Sequence, residues 1–463
     1  MSTDVVDHAQ LPSLAQRLRS DTLTRALTTT SVLVLSGVIA AADVPVVVTA
    51  FLGLFAVLLA TWSPVGLMGA LLVAVPWVYQ PIEIGRLRFS HLELAILAGS
   101  AALGIHLAVS VARYRDLARF RYLLRPSRIT IPTIMVLVTA TLSLRTVADP
   151  TYLTESLREY RTVIIEPVMA FFIFRWMFTR PFAKQYAILC LLAAGSAVTV
   201  GAFNSGDLTG LREGDIRISG PYPHPNNFAF YLERLTLMGA ALIAVAGRVR
   251  LWWVTLILTV TCGFGTILTM SRGALLALLV GGIFLAARTR PAYRAPVFVG
   301  VGAFATVATF AVRDRLTDTG GGGAEFTRFP IWRASIAMIR DYPRTGVGLD
   351  QFLYQYLPRY VEPAGWPERF TAHPHNLILD LWLRLGIAGP VLGLWLVAAI
   401  WSLRRQPVHE LTAMARATRI AGVAALLGGM THGMVDNGFF LPDLAVLTWF
   451  CFALIEPRVD VTC

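Results

Sequence analysis

Apolar residues run along this chain in long uncharged blocks separated by short polar connectors. A helix needs about 17–25 such residues to cross a bilayer, so each block of that length predicts a membrane span. Fourteen are predicted, near 27–42, 44–61, 63–79, 91–111, 129–147, 161–179, 184–203, 226–247, 250–269, 273–288, 295–312, 377–402, 416–436 and 440–457. Only Asp43 and Pro45 separate the first two, so the pattern supports about 12–14 spans. The fold class is therefore an all-α, polytopic helical membrane protein. No repeat of fixed period is visible.

One connector breaks the rhythm. Residues 313–376 are too long for a plain link. They hold a glycine run, "TDTGGGGAEF", and then an amphipathic stretch from Arg328 to Arg340. Charges there nearly balance and aromatics are frequent. A large, partly helical loop is expected.

Composition agrees with the pattern: 56% of residues are hydrophobic and 15% charged, with mean hydropathy +0.62. The net charge of +12 would suggest nucleic acid in a soluble protein. Here the arginines of 113–128, 175–184, 248–250, 288–294 and 404–419 fall on alternate connectors. That is the bias of cytoplasmic loops, so no nucleic-acid partner is expected. Both termini, 1–26 and 458–463, are then cytoplasmic tails. The connectors 80–90, 148–160, 204–225, 270–272, 313–376 and 436–440 are extracytoplasmic. The four cysteines show no CxxC or Cys/His spacing, so neither a disulfide framework nor a zinc site is indicated. The polar, Arg-bearing start is no secretory signal.

The outer connectors collect unusual polar residues: Arg217, His224 and Asn226 in "RISGPYPHPNN", Ser271 and Arg272 in "TMSRGALLA", His373, His375 and Asn376 in "TAHPHN", and His432 and Asp436 in "THGMVDNG". Charges near membrane depth are functional suspects. Asn376 can cap the following helix, which places His375 at a helix N-terminus where the dipole favours a neutral ring. Such a ring suits a general base; a capping histidine without chemistry is the alternative. Arg217 and Arg272 would make a two-arginine clamp for phosphate, against lipid-headgroup contact as the alternative. Asp380 and Arg384, four apart, predict an intramembrane ion pair. Asp380 is poorly placed to orient His375. His432 and Asp436 are again four apart, and could fix one another's tautomer or form a structural pair. Glu233 and Arg234 are expected to make helix–helix contacts. P-loop, GxSxG, HExxH and Asp-x-Asp patterns are missing from the sequence. A cation-rich, carboxylate-poor site suggests an anionic leaving group held by arginine, with no metal and no cofactor.

His375-Asn376, nine residues and then Gly386-Ile387-Ala388-Gly389 resemble the His-[Asn/Ser/Gln]-x9-Gly-x-x-Gly signature of bacterial O-antigen ligases. "SRGALLALLVGG", "GPYPHPNNFAFYL" and "RFPIWRASIAMIRDYPRTGVGLDQF" are similar to stretches of the wider O-antigen ligase and polymerase superfamily. The likeness covers roughly 200–440. The first 190 residues match only in being membrane spans, and fourteen spans exceed the usual dozen. It implies a GT-C membrane glycosyltransferase of the inner (plasma) membrane, with a catalytic region over 204–457. Such an enzyme transfers a glycan from undecaprenyl diphosphate to an acceptor hydroxyl on a glycan, lipid or protein, in cell-surface polysaccharide and lipopolysaccharide biosynthesis. It inverts the anomeric centre without metal. The family's essential histidine falls on His375 and its diphosphate-binding arginines on Arg217 and Arg272. Arg328 and Trp332 match a stretch of the large loop. Asn376, His373, His224, Asn226, Arg328, Trp332, His432 and Asp436 are expected as supporting residues. A polysaccharide polymerase or protein O-oligosaccharyltransferase fits the same motifs. A lipid-linked saccharide flippase is the reading from another class, but the polar residues gather at one face and no repeat shows.

Overall fold

The structure is a computed structural model. It describes residues 64–84, 87–114, 127–180, 182–204, 208–209, 217–246, 251–289, 324–403 and 412–456, with isolated positions 123, 295, 299 and 302. The spans expected at 27–42 and 44–61, that at 295–312 apart from its three isolated positions, and both tails lie outside the described residues. The other eleven are present. In chain order they are α1 (Pro64–Ala74), α2 (His91–Tyr114), α3 (Thr130–Ser143), α4 (Leu153–Glu159) running through a π-helical segment into α5 (Glu166–Met177), α6 (Ala183–Asn204), α7 (Pro225–Ala241), α8 (Trp252–Leu268) and α9 (Arg272–Arg288). After the large loop come α12 (Leu377–Leu385), α13 (Ala388–Leu403), α14 (Ala413–Gly433) and α15 (Pro442–Ile455). Two short antiparallel hairpins, β1 (Ile82–Ile84) with β2 (Leu87–Phe89) and β3 (Leu208–Thr209) with β4 (Arg217–Ile218), decorate the connectors.

The protein is a helical membrane protein. Among the described residues, His91–Val109, Ala183–Asn204 and Pro225–Ala246 are each long and apolar enough to cross a bilayer, and five shorter apolar helices join them. On α8, Trp253, Ile257, Val260 and Phe264 repeat at three- and four-residue spacing and are all more than half exposed, from 52% at Phe264 to 67% at Trp253. A stripe of that kind faces lipid. At the centre α7 packs against α8, α9 and α14. Small residues set the distance there: a β-carbon on Gly428 would lie 2.5 Å from Leu237, and one on Gly429 would lie 2.6 Å from the Arg234 guanidinium. In a membrane such close approach replaces hydrophobic drive with packing.

The connectors meet in two groups. Arg175 pairs with Glu456 at 2.6 Å, Ser127 bonds the same carboxylate, and Lys184 donates to the Leu454 and Glu456 carbonyls. The segments 148–159, 217–226, 269–272, 342–386 and 434–441 meet at the site described below.

The predicted span 377–402 is not one helix. Gly386 breaks it, with φ 66° and ψ −163°, a region open almost only to glycine. A β-carbon there would stand 2.0 Å from the Arg344 carbonyl oxygen, and one on Gly389 would stand 2.1 Å from that of Leu381. Both glycines of the Gly-x-x-Gly pattern therefore serve the fold: one turns the chain, the other lets α13 close on α12. The break leaves a nine-residue α12, roughly 14 Å long.

The large loop is partly helical, as expected. Its α10 (Ala324–Asp341) and short α11 (Phe352–Gln355) build a small core of Ile331, Ala334, Met338, Val347, Phe352, Tyr356 and Leu383. Leu383 belongs to α12, whose backbone oxygen accepts from Val347 N and Gly348 N at 2.7 and 3.0 Å. The connector before α4 grips the same loop. Ala148 N donates to Val347 O at 2.8 Å, Ser156 Oγ donates to Leu349 O at 2.6 Å, Gln351 Nε2 donates to Ser156 Oγ at 3.0 Å, and Tyr152 stacks on Tyr354 at 3.6 Å. The Asp380–Arg384 pair forms at 2.7 Å. Arg384 also pairs with Glu159 of α4 and lies over Phe440 at 4.7 Å.

Gly386→Ala should cost about 1–3 kcal/mol from the backbone alone, plus the clash with Arg344. The expected result is a thermal midpoint in detergent several degrees below the parent; an unchanged midpoint would show that the break is not a fixed feature.

Candidate functional site

Asn376 caps α12, its Oδ1 accepting from Ile378 N at 3.0 Å and Leu379 N at 3.1 Å. Its Nδ2 donates to Met434 O at 3.0 Å, tying the entrance of α12 to the turn after α14. His375 immediately before it takes a left-handed backbone, φ 50°. For a residue with a β-carbon that conformation is costly and clusters at functional sites. His375 Nδ1 lies 2.9 Å from Asp436 Oδ1, and His373 Nε2 lies 3.6 Å from the same oxygen. On its other side, His375 Nε2 is 3.2 Å from Thr371 Oγ1.

The carboxylate continues into the arginine side of the site. Asn226 Nδ2 donates to Asp436 Oδ2 at 2.9 Å. Arg217 Nη2 donates to Asn226 Oδ1 at 2.7 Å, and its Nε to the Thr269 carbonyl at 2.8 Å. Thr269 opens the turn that leads to Arg272, the first residue of α9. His224 caps α7, its Nδ1 accepting from Asn226 N at 3.1 Å. Arg217, His224, Asn226, His373, His375, Asn376 and Asp436 thus form one hydrogen-bonded group, with Arg272 within electrostatic range of Arg217.

Charges in this group perturb one another. Burial drives the Asp436 carboxyl up, but the bonds from His373 and His375 outweigh it and hold it well below the usual carboxylate range. Burial lowers His373, despite its bond to Asp436. Burial, then the charge of Arg217, lowers His224, consistent with the acceptor role of its Nδ1. Burial and the charge of Arg272 pull Arg217 down, partly offset by Asp436. Two cations and one ionised carboxylate leave this region short of negative charge.

His432 and Asp436 do not pair. The former lies one turn deeper, with Nδ1 2.8 Å from Glu233 Oε2, Nε2 3.3 Å from Ser271 Oγ and its ring stacked on Phe230 at 3.5 Å. All of these are buried. The i, i+4 spacing failed because α14 ends at Gly433, so Asp436 sits on the turn and points elsewhere. His432 instead braces Ser271, which caps α9 and precedes Arg272. The contact between Glu233 and His432 is helix to helix, as expected. So is that of Arg234, which donates to Gly438 O at 2.7 Å and Leu444 O at 3.1 Å and so fixes the turn carrying Asp436.

Arg328 and Trp332 stand on α10, where Phe329 packs edge-on against Trp332 at 5.5 Å. Among the described contacts, neither bonds to the histidine–aspartate group. Thr371 and the Thr269 carbonyl were not legible beforehand; the only signal for Thr371 was its place four residues before His375. Nor did spacing reveal a metal-ligand set, yet His373, His375 and Asp436 place three ligand atoms within 4.8 Å of one another.

No curated protein matches the chain. A family model described as O-Antigen ligase matches residues 257–394, a stretch that holds Arg272 and His375 and leaves Arg217 and Asp436 outside it. Over residues 257–394 this membrane protein is similar to the O-antigen ligase family.

Proposed function

We propose that the protein is an inverting membrane glycosyltransferase that moves a glycan from undecaprenyl diphosphate to an acceptor hydroxyl on the extracytoplasmic face. The observation that carries this reading is the meeting of a histidine–aspartate dyad with an arginine pair, delivered by four connectors far apart in sequence.

The chemistry follows from the geometry. The acceptor oxygen attacks the anomeric carbon, the bond from that carbon to the phosphate oxygen breaks, and the lipid diphosphate leaves with the electron pair. The acceptor proton goes to His375 Nε2. Asp436 holds the proton on Nδ1, which fixes the tautomer that leaves Nε2 free to accept. Thr371 Oγ1, 3.2 Å from Nε2, marks where the incoming hydroxyl would stand; its own proton has a second acceptor, the His373 carbonyl at 3.0 Å. Arg217 and Arg272 offset the charge that grows on the departing diphosphate. Arg272 does so from the N-terminus of α9, whose free backbone N–H groups favour an anion. Arg328, Trp332 and the aromatics of the large loop lie on the segment that would cover the sugar.

His375→Ala should abolish glycan transfer in a purified, folded enzyme. Asp436→Asn should lower kcat by about 10²-fold or more, the scale of a mispositioned general base. Near-parental rates in either variant would refute the dyad. Arg272→Lys and Arg217→Lys should each lose much of the activity although charge is kept, because a two-pronged donor becomes a point charge. The check is affinity for a lipid diphosphate, and unchanged binding in both variants would exclude the clamp.

Sidedness follows from the basic connectors. Single cysteines at the exposed positions Phe370 and Leu251, in a background without native cysteines, should label differently with an impermeant maleimide. Phe370→Cys should react in intact cells, after outer-membrane permeabilisation where there is one, and Leu251→Cys only after lysis. The opposite pattern would put His375 in the cytoplasm, out of reach of a donor already flipped outward.

A further inference from the structure

We infer that His373, His375 and Asp436 form a divalent-cation site, matched to Zn²⁺, whose occupation switches the protein off. The switching half rests on the reading of His375 as the base; the binding half does not.

Geometry points to the site first. His375 Nδ1 and His373 Nε2 both aim at Asp436 Oδ1, at 2.9 and 3.6 Å. Tetrahedral zinc with bonds of about 2.0–2.1 Å sets its ligand atoms roughly 3.3 Å apart, and the two separations bracket that value. Two imidazoles and one carboxylate are a donor set for zinc and its transition-metal neighbours; Mg²⁺ and Ca²⁺ want oxygen alone. Three protein ligands would leave one position open to solvent.

The surroundings are those of a held ligand set. Two of the three ligating groups have their other polar atom tied: Asp436 Oδ2 accepts from Asn226, and His375 Nε2 contacts Thr371. Partners of this kind orient metal ligands and raise their basicity. The two rings meet edge-on with centroids 4.3 Å apart, and His375 keeps its left-handed backbone in doing so.

Proton counting shows how two states of the site compete. Thr371 has one hydroxyl proton, and its contact with the His373 carbonyl is a donation at 3.0 Å. In the state where that proton stays on the carbonyl, the ring carries its own proton on Nε2 and donates it across the 3.2 Å contact; in the other state Thr371 turns its proton to Nε2 and the ring proton lies on Nδ1. A neutral ring protonated at Nε2 has a bare lone pair on Nδ1, and that lone pair faces a carboxylate oxygen at 2.9 Å. Two electron-rich atoms so close call for a cation between them. A second ring proton is one solution and a metal ion shared with His373 is the other.

The consequence is a choice between two states of one histidine. With a proton on Nδ1 and Asp436 accepting it, Nε2 is free and the base works. With Zn²⁺ on Nδ1, the ring proton resides on Nε2 and is held by Thr371, so no lone pair remains for the acceptor hydroxyl. Metal and catalysis exclude each other at the same ring.

The test uses the untagged full chain in detergent and Zn²⁺ itself. Equilibrium dialysis should find one tight zinc per chain, weakened at least about tenfold by His373→Asn and by Asp436→Asn. EDTA-treated enzyme should transfer glycan at its full rate, added Zn²⁺ should abolish transfer, EDTA should restore it, and Mg²⁺ should do nothing. In His373→Asn the zinc concentration for half inhibition, taken against that variant's own zinc-free rate, should rise by the same factor. Zinc binding that His373→Asn leaves unchanged, no binding below millimolar zinc, or bound zinc that leaves transfer unaltered or raises it would each overturn the proposal. His375→Ala assayed without zinc judges the base reading by itself, and dialysis judges the metal site by itself, so the two failures are told apart.

Discussion

The site depends on one buried carboxylate. Asp436 stands on a three-residue-deep turn after α14 and takes bonds from His375, Asn226 and the Asn437 backbone, with His373 in reach. Through Asn226 it reaches Arg217, and through Arg217 the turn before α9. Remove that charge and the connectors have no common partner. A buried anion is costly unless every lone pair is used. Here the bonds from His373 and His375 more than offset burial and keep the group ionised. The same bonds dictate which face each histidine shows.

Deeper polar contacts hold this arrangement from below. Arg234 secures the turn that carries Asp436, and Glu233 with His432 secures the cap that precedes Arg272. Adjacent residues on α7 therefore brace the two sides of the site separately. The glycines of α14 make it possible, since a side chain at Gly429 would collide with the Arg234 guanidinium. Alongside, the broken helix at Gly386 allows α12 to start at the site and stop after nine residues, where Arg384 joins Asp380 and Glu159.

Much of this was legible in the sequence, and the limits have physical causes. Uncharged blocks located helices at eleven of the predicted positions because a chain that must satisfy its backbone in a bilayer writes helices as long apolar runs. Asn376 as a cap and Asp380 with Arg384 as a pair were legible because both are local contacts within one helical turn. Local spacing misled at His432 and Asp436, where the helix ends between them. It was silent on Glu159 as a second acidic partner of Arg384, 225 residues away, and on the convergence of His373 and His375 on Asp436, 61 residues beyond the second histidine. Periodicity also merged α12 and α13 into one span, because an apolar run carries no record of a left-handed turn inside it. The glycines at 386 and 389 were visible as a motif; their reason appeared only with the carbonyls of Arg344 and Leu381 beside them.

The seam between the large loop and the 148–159 connector has a consequence for how such proteins diversify. Residues 347–354 are sewn to Ala148, Tyr152 and Ser156 by backbone and side-chain bonds alike. A loop exchanged between relatives without its counterpart would bring mismatched stitches. The inheritable module is thus discontinuous: two segments almost two hundred positions apart must travel together, and the early helices that share no motif with the rest are kept in step with it by that need.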